Sequence, residues 1–299
     1  MEYEPPPSAN ELSLIAAALG RPVSFDRRIW GGQSSTTDIL VSDDGQRVAL
    51  RRHGRWSIGF DDGIAAREEA VLRAVASFGV PAARVLWWGQ LGPATAIITE
   101  FVEGIAVLRP SNPIRWAAQL AETLAAIHSV VVDTSTAAVL RKAPLSPVDL
   151  EPAESYASHP YGQALLERRA ALSPTAGTGS CLVHGDYWPG NLLWRDDEVV
   201  AVLDWEAAVL GDPAGDVAYC FAELRYLGLD DAADHFLAHY RATTGSELNS
   251  LPYWMVTALC RAIPELNSYL DGWSSLGYSP DPEAVRRRFE RLIKETLHS

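Results

Sequence analysis

The sequence is poor in cysteine, has no long apolar run and carries no excess of positive charge. Its three cysteines, Cys181, Cys220 and Cys260, form no Cys-x-x-Cys pair. That excludes a disulfide framework and a thiolate zinc site, and it makes a reducing cytoplasm the expected home. No stretch of about 20 apolar residues occurs, so no helix is expected to cross a bilayer. Residues 1–7 are acidic and proline-rich, where a secretory leader would be basic and then apolar. Lys and Arg number 25 against 38 Asp and Glu, a formal charge of −13. That balance argues against nucleic acid or an anionic membrane as a partner.

What is present is a globular composition, 47% hydrophobic and 21% charged over 299 residues, long enough for one large or two medium domains. The first hundred residues read mainly as strands. Stretches 39–41 and 48–50 flank Ser42-Asp43-Asp44-Gly45, which carries the Asp-Gly signal of a hairpin. A helix is expected over 65–78, stopped by Gly79 with Pro81 behind it. Residues 85–88 and 95–98 look like a second strand pair. After residues 100–104 the texture turns helical: 116–128 has an apolar stripe, 144–179 mixes prolines with short helical pieces, and helices dominate from Pro213 onward. The expected fold class is α+β in two lobes. Residues 1–100 form a small strand-rich lobe, 101–104 a joint, and 105–299 a larger helical lobe.

The chemistry concentrates in residues 181–204. A short apolar strand runs into a loop bearing His184, Asp186 and Asn191, then becomes apolar again; the turn Arg195-Asp196-Asp197-Glu198 leads to a second apolar strand ending at Asp204. Antiparallel pairing brings the start of one strand beside the end of the other. Asn191 and Asp204 should therefore face each other at one open end, with Asp186 close by. Two hard oxygen donors in that position suit magnesium, its shell completed by phosphate oxygens and water.

His184-Gly185-Asp186, with Asn191 five residues after the Asp, resembles the kinase catalytic-loop pattern His-Arg-Asp-x-x-x-x-Asn, and Asp204-Trp205-Glu206 resembles the Asp-Phe-Gly element. The spelling His-Gly-Asp-x-x-Pro-Gly-Asn, followed by Asp-Trp-Glu and Gly211-Asp212-Pro213, is similar to the aminoglycoside phosphotransferase family over residues 25–264. The resemblance implies a protein-kinase-like fold and transfer of the terminal phosphate of ATP or GTP to a hydroxyl of a small molecule. It implies that Asp186 is the base orienting that hydroxyl and that Asn191 and Asp204 hold Mg2+. His184 would organise the loop, and Asp216 would brace it from the following helix.

The strand-rich lobe should grip the phosphates. Val48-Ala49-Leu50-Arg51 occupies the place of the kinase Val-Ala-Ile-Lys, so Arg51 stands where lysine is usual; it keeps the charge and can fork across two phosphate oxygens. Glu68 is its expected ion-pair partner, because it shares a helix face with Leu72 and Val75 while Glu69 points elsewhere. Gly32, Ser34 and Ser35 belong to a small-residue loop whose backbone N–H groups would cover the phosphates. The backbone of Glu100 and Val102 would meet the purine edge.

The acceptor reading is more open. Only 12 residues separate Asp204 from Asp216, too few for a long activation segment, which argues against a protein kinase. Acceptor lining is expected from 144–179 and 261–273. There Pro264 should kink a helix and expose Glu265 and Asp271, carboxylates suited to the ammonium groups of an aminoglycoside. Other antibiotics, choline, homoserine or a sugar are alternative acceptors. Two other classes compete: a pseudokinase-like nucleotide-binding module, suggested by Arg51, and a metal-dependent phosphoesterase using His184, Asp186 and Asp204. The second leaves the Arg51 strand and the Glu68 helix without a purpose. His235 and His239 lie at i, i+4 but lack the Glu and third ligand of a zinc-protease motif, so a surface or packing role is expected. The ten tryptophans are expected in the core and pocket lining rather than as a stacking platform for nucleic acid.

Overall fold

Strand alternation sets the architecture of the N-terminal region. A computed structural model describes residues 5–29, 35–53, 63–142, 153–157, 159–172 and 180–298. Helix α1 (Ala9–Leu19) precedes β1 (Val23–Ile29), β2 (Thr36–Ser42), β3 (Arg47–His53), α2 (Ile64–Ser77), β4 (Val85–Leu91) and β5 (Ala94–Glu100). The five strands form one antiparallel sheet in the order β1-β2-β3-β5-β4. Successive side chains of a strand point to opposite faces. In the central strand β3, Val48 and Leu50 pack with Ile15 of α1 and with Leu40 and Ile98. Arg51 and His53 point to the face covered by α2, where both reach Glu68. One residue of register slip would send Arg51 to the α1 side.

Helix α1 lies where the sequence reading expected mainly strands. Its signal was there: Ser8 accepts the Glu11 amide and the Glu11 side chain accepts the Ser8 amide at 2.8 Å, a reciprocal capping box. Helix α2 ends at Ser77, with Gly79 at φ 77° behind it, within a residue of the expected span.

The C-terminal region is helical around two small sheets. It runs α3 (Pro113–His128), α4 (Thr134–Val139), β6 (Arg141–Lys142), α5 (Ala153–Ala157), α6 (Gly162–Leu172), β7 (Cys181–Val183), β8 (Leu192–Arg195), β9 (Glu198–Val202), β10 (Val209–Gly211), α7 (Ala214–Tyr226), α8 (Asp230–Thr244), α9 (Leu251–Ser275) and α10 (Pro282–His298). Single-turn 3₁₀ helices cover Pro189–Asn191 and Trp205–Ala207. Leu120, Leu124, Val217, Leu224, Phe236, Leu259 and Phe289 centre its core, all buried. The mixed α and β class, with an antiparallel sheet first and helices after, is the one expected.

Two details differ from expectation. Helix α9 runs through Pro264, but Glu265 is half-buried rather than exposed; only Asp271 of the pair is exposed as expected. Glu265 instead lies within reach of the Arg261 charge, four residues before it on the helix. Trp116, Trp194, Trp205 and Trp273 are buried as expected, but Trp88 is 44% exposed. His239 pairs with Glu122 at 2.9 Å. Among the described residues no group of three His, Cys, Asp or Glu is placed to hold a metal ion. All three cysteines are free thiols.

Candidate active site

Strand β7 delivers the chain to residues 184–188, and the loop is pinned from below. Asp216, in the first turn of α7, accepts the His184 amide at 2.7 Å on Oδ2 and the Gly185 amide at 2.8 Å on Oδ1. His128 Nε2 lies 3.1 Å from the same Oδ2, and its Nδ1 lies 2.7 Å from the Tyr240 hydroxyl. Burial pushes the Asp216 carboxyl up, but the His128 hydrogen bond and the backbone donors outweigh it, leaving the group below the ordinary carboxylate value. Gly185 has φ 82°, and a Cβ there would sit 2.5 Å from the Ala207 carbonyl oxygen. Only glycine lets the loop lie that close to the turn after Asp204.

His184 joins the same two segments. The Asp186 amide donates to its Nδ1 at 3.2 Å, which makes Nε2 the protonated nitrogen, and Nε2 donates to the Leu203 carbonyl at 2.8 Å. Its ring packs 4.5 Å from that of Trp205.

Asp186 has both carboxylate oxygens engaged. Asn191 Nδ2 donates to Oδ2 at 2.9 Å and to the Asp186 carbonyl at 2.9 Å. Arg261, on α9, donates from Nη2 to Oδ1 at 2.7 Å. The Leu203 amide donates to the Asn191 carbonyl at 2.8 Å, just beyond the Leu192–Val202 pair of the β8–β9 hairpin. Asn191 and Asp204 thus sit at the same end of that hairpin. With Asn191 Nδ2 spent on Asp186, its Oδ1 is the remaining acceptor. Asp204 offers Oδ2 beyond the oxygen that Arg51 holds. Two hard oxygens are a donor set that suits Mg2+ bound together with phosphate.

Arg51 ties the two regions together. Its Nη2 lies 2.5 Å from Asp204 Oδ1 and 2.9 Å from Glu206 Oε2, its Nη1 3.1 Å from Glu68 Oε1, and its Nε donates to Ser35 Oγ at 2.8 Å. Burial works against the Arg51 charge, yet Asp204, Glu68 and Glu206 together hold it more firmly protonated than usual. Burial likewise pushes Glu68 up, but Arg51 and His53 bring it down to about 2. His53 Nε2 is 2.9 Å from Glu68 Oε2, and its Nδ1 is 3.5 Å from Glu206 Oε2. Glu69, as expected, points away and pairs with Arg73.

The remaining candidates are less converged. Gly32 and Ser34 lie outside the described residues. The Glu100 amide donates to the Arg84 carbonyl at 2.9 Å, and its side chain pairs with Arg84 at the surface. The Phe101 amide donates to Arg47 O at 3.3 Å, and Ile105 exchanges two backbone hydrogen bonds with Trp194, at 3.0 and 2.9 Å. Val102 lies between these ties. A Cβ on Gly104 would meet Leu193 Cβ at 2.9 Å, so glycine lets this segment lie flat on β8. Glu265 is within electrostatic reach of Arg261, whereas Asp271 faces solvent. A cavity of about 510 Å³ opens at the turn end of the β8–β9 hairpin, lined by Arg109, Arg115, Trp116, Trp194 and Asp197 among others. Its lining includes none of Arg51, Glu68, Asp186, Asn191, Asp204 and Arg261.

Sequence reasoning gave no individual role to Glu206, His53, His128 or Glu223, and placed Arg261 only at the edge of the expected acceptor lining. Glu206 lay inside the quoted Asp-Trp-Glu triplet, and His53 shares the Arg51 strand face by the two-residue period. Glu223 is 2% exposed on α7; burial, with Asp186 adding to it, raises its carboxyl to about 8.

The chain is matched by a known family. The model of the phosphotransferase enzyme family (APH) covers residues 27–251. The chain belongs to that family. Among curated relatives, acyl-CoA dehydrogenase family member 10 of Mus musculus is 31% identical over 214 residues, covering 64% of this chain and 20% of that protein. The chain spans about a fifth to a quarter of the length of the curated relatives it matches. Among solved structures, an aminoglycoside-3'-phosphotransferase of type VIII superposes with a TM-score of 0.60 at 20% identity, covering 83% of this chain and 98% of that one. A spectinomycin phosphotransferase in complex with ADP and spectinomycin gives 0.63 at 16% identity, covering 98% and 95%. At these identities the likeness is one of fold.

Proposed function

We propose that the chain is a Mg2+-dependent O-phosphotransferase that moves the γ-phosphoryl group of ATP or GTP to a hydroxyl of a small molecule. The observation that carries this is the convergence of Asp186, Asn191 and Asp204 at one end of the β8–β9 hairpin, faced by Arg51 with an ionised Glu68 behind it. Residues 1–100 and 105–299 would then be the two walls of the cleft, joined by 101–104. The backbone at Glu100 and Val102 would meet the purine, and the free thiols suit a reducing cytoplasm.

In the reaction the acceptor hydroxyl oxygen bonds to the γ-phosphorus while the bond to the β–γ bridging oxygen breaks and the nucleoside diphosphate departs. Asp186 accepts the hydroxyl proton. Asn191, by donating to Asp186 Oδ2, fixes the direction of that carboxylate. Asn191 Oδ1 and Asp204 would hold Mg2+, which neutralises phosphate charge when bound. Arg51 supplies a permanent positive charge beside the phosphates, and Glu68 keeps the guanidinium in place. Asp216 and His184 hold the loop in register.

The test is γ-labelled nucleotide with Mg2+ and a panel of hydroxylated acceptors. Asp186→Asn should bind nucleotide as the native protein does, with kcat reduced about 10²–10⁴-fold. A full-rate variant would remove Asp186 as the base. Nucleotide binding with no acceptor phosphorylated would favour the pseudokinase reading, and phosphate release to water alone the phosphoesterase one.

A further inference from the structure

The acceptor side of Asp186 is walled by a cation. Arg261 reaches the base from α9, with Nη2 on Asp186 Oδ1 at 2.7 Å and Nη1 on the Gly185 carbonyl at 3.2 Å. Its guanidinium stacks 4.3 Å from the centre of the Tyr219 ring, which fixes the plane of the fork. The side chain is 22% exposed, so it opens to solvent on one side only. A second arginine borders the same helix face. Arg169, on α6, donates to Tyr253 Oη at 2.8 Å and to Thr257 Oγ1 at 3.1 Å. Tyr253, Thr257 and Arg261 are spaced i, i+4, i+8 and lie along one side of α9.

The geometry of Asp186 turns this wall into a selection rule. A hydroxyl acceptor takes a free lone pair on one of the two carboxylate oxygens. Asn191 holds Oδ2 from the hairpin side, so an acceptor that approaches from the α9 side meets the oxygen that Arg261 holds, and the guanidinium with it. When an acceptor loosens that contact, a half-buried guanidinium is left short of its counter-charge, a costly state unless the acceptor replaces it. An amine would add repulsion, and an uncharged group would give only weak hydrogen bonds. A carboxylate or phosphate matches the planar fork with two charge-assisted hydrogen bonds. Of the neighbouring acids, burial pushes the Glu223 carboxyl up, to about 8, toward its neutral form; Glu265, one turn further along α9, is the other carboxylate in electrostatic reach of Arg261 besides Asp186.

We infer that Arg261 is the acceptor-specificity residue, exchanging its contact with Asp186 for a carboxylate or phosphate group of the substrate, so that this kinase acts on anionic hydroxylated small molecules. The inference rests on the phosphotransfer reading above. It sets aside the expectation that Glu265 and Asp271 receive ammonium groups.

The experiment screens the full chain with MgATP against hydroxylated compounds balanced between anionic, neutral and cationic members. These include hydroxy acids, phosphorylated polyols, sugars, amino alcohols and an aminoglycoside, with phosphate gain read by mass. Anionic acceptors should be preferred. For the best one and its uncharged amide, the ratio of kcat/KM should fall at least about tenfold in Arg261→Gln and recover in part in Arg261→Lys. A purely structural role of Arg261 would slow both acceptors alike and leave that ratio unmoved, which would overturn the inference, as would a best acceptor that is neutral or cationic. If Arg261→Gln does not fold, the Lys variant and the native preference carry the test. Transfer to no acceptor, with no nucleotide-dependent thermal shift, would instead overturn the phosphotransfer reading and this inference with it. The hydroxy acids and phosphorylated polyols distinguish carboxylate from phosphate.

Discussion

Replacing Glu68 by Gln removes one charge from the buried Arg51 cluster while keeping shape and an acceptor oxygen. A carboxyl held at about 2, against an ordinary 4.5, stabilises the folded chain at neutral pH by about 3 kcal/mol. Breaking a buried ion pair typically costs about 3–5 kcal/mol. Arg51 keeps Asp204 and Glu206 as partners, which places this case at the lower end. The two routes agree on about 3 kcal/mol, or a fall in Tm of roughly 5–10 °C for a chain of this size. The sign with pH follows from the direction of the shift. A depressed folded value gives stability that is present above 4.5 and lost as pH falls toward 2, with about half remaining near pH 3. Urea unfolding of native and Glu68→Gln protein at pH 7, 4 and 3 reads this directly. A difference under about 1 kcal/mol at pH 7, or one that stays constant down to pH 3, would refute the account of Arg51 and Glu68 as an ionised buried pair.

Two other substitutions probe the loop rather than the charge cluster. Asp216→Ala strips the His184 and Gly185 amides of their acceptor in a buried place, at about 1–3 kcal/mol each; chemical denaturation should show a loss of about 3 kcal/mol or more. Because the folded Asp216 carboxyl lies below 3.8, the gap between native protein and variant should narrow as pH falls through the carboxylate range. Gly185→Ala puts a methyl 2.5 Å from the Ala207 carbonyl at φ 82°, a backbone strain of about 1–3 kcal/mol or more. Thermal melting and turnover should both drop, and a variant melting with the native protein would mean that the loop does not press on residue 207.

Much of this layout was legible because it rests on local rules. The turn Arg195-Asp196-Asp197-Glu198 between two apolar runs fixed a hairpin, and hairpin pairing alone brought Asn191 to Asp204. Helical spacing aimed Glu68 inward, and Glu69 outward to Arg73. The capping box of α1 was equally local and was passed over, since the strand texture around it dominated the reading. Arg261 fell within the expected acceptor lining, but its contact with Asp186 was out of reach for a different reason. It lies 75 residues from Asp186 on a helix whose rotation about its own axis is set by packing against α6 and α7, which no periodicity in the sequence specifies. The raised carboxyl of Glu223 is likewise a product of burial, visible only once Tyr226 and Trp273 close around it.

The backbone exchange between Ile105 and Trp194 has a mechanical consequence. The strand-rich region is fastened at Phe101 through Arg47, and the helical region at Ile105 through β8. That leaves Val102, Glu103 and Gly104, about six soft torsions in all, as the free length of the connecting segment. Gly104 is further hemmed in by Leu193. So short a link keeps the ends of the two regions in fixed register, and in the proposed function it would set the depth at which a nucleotide base seats.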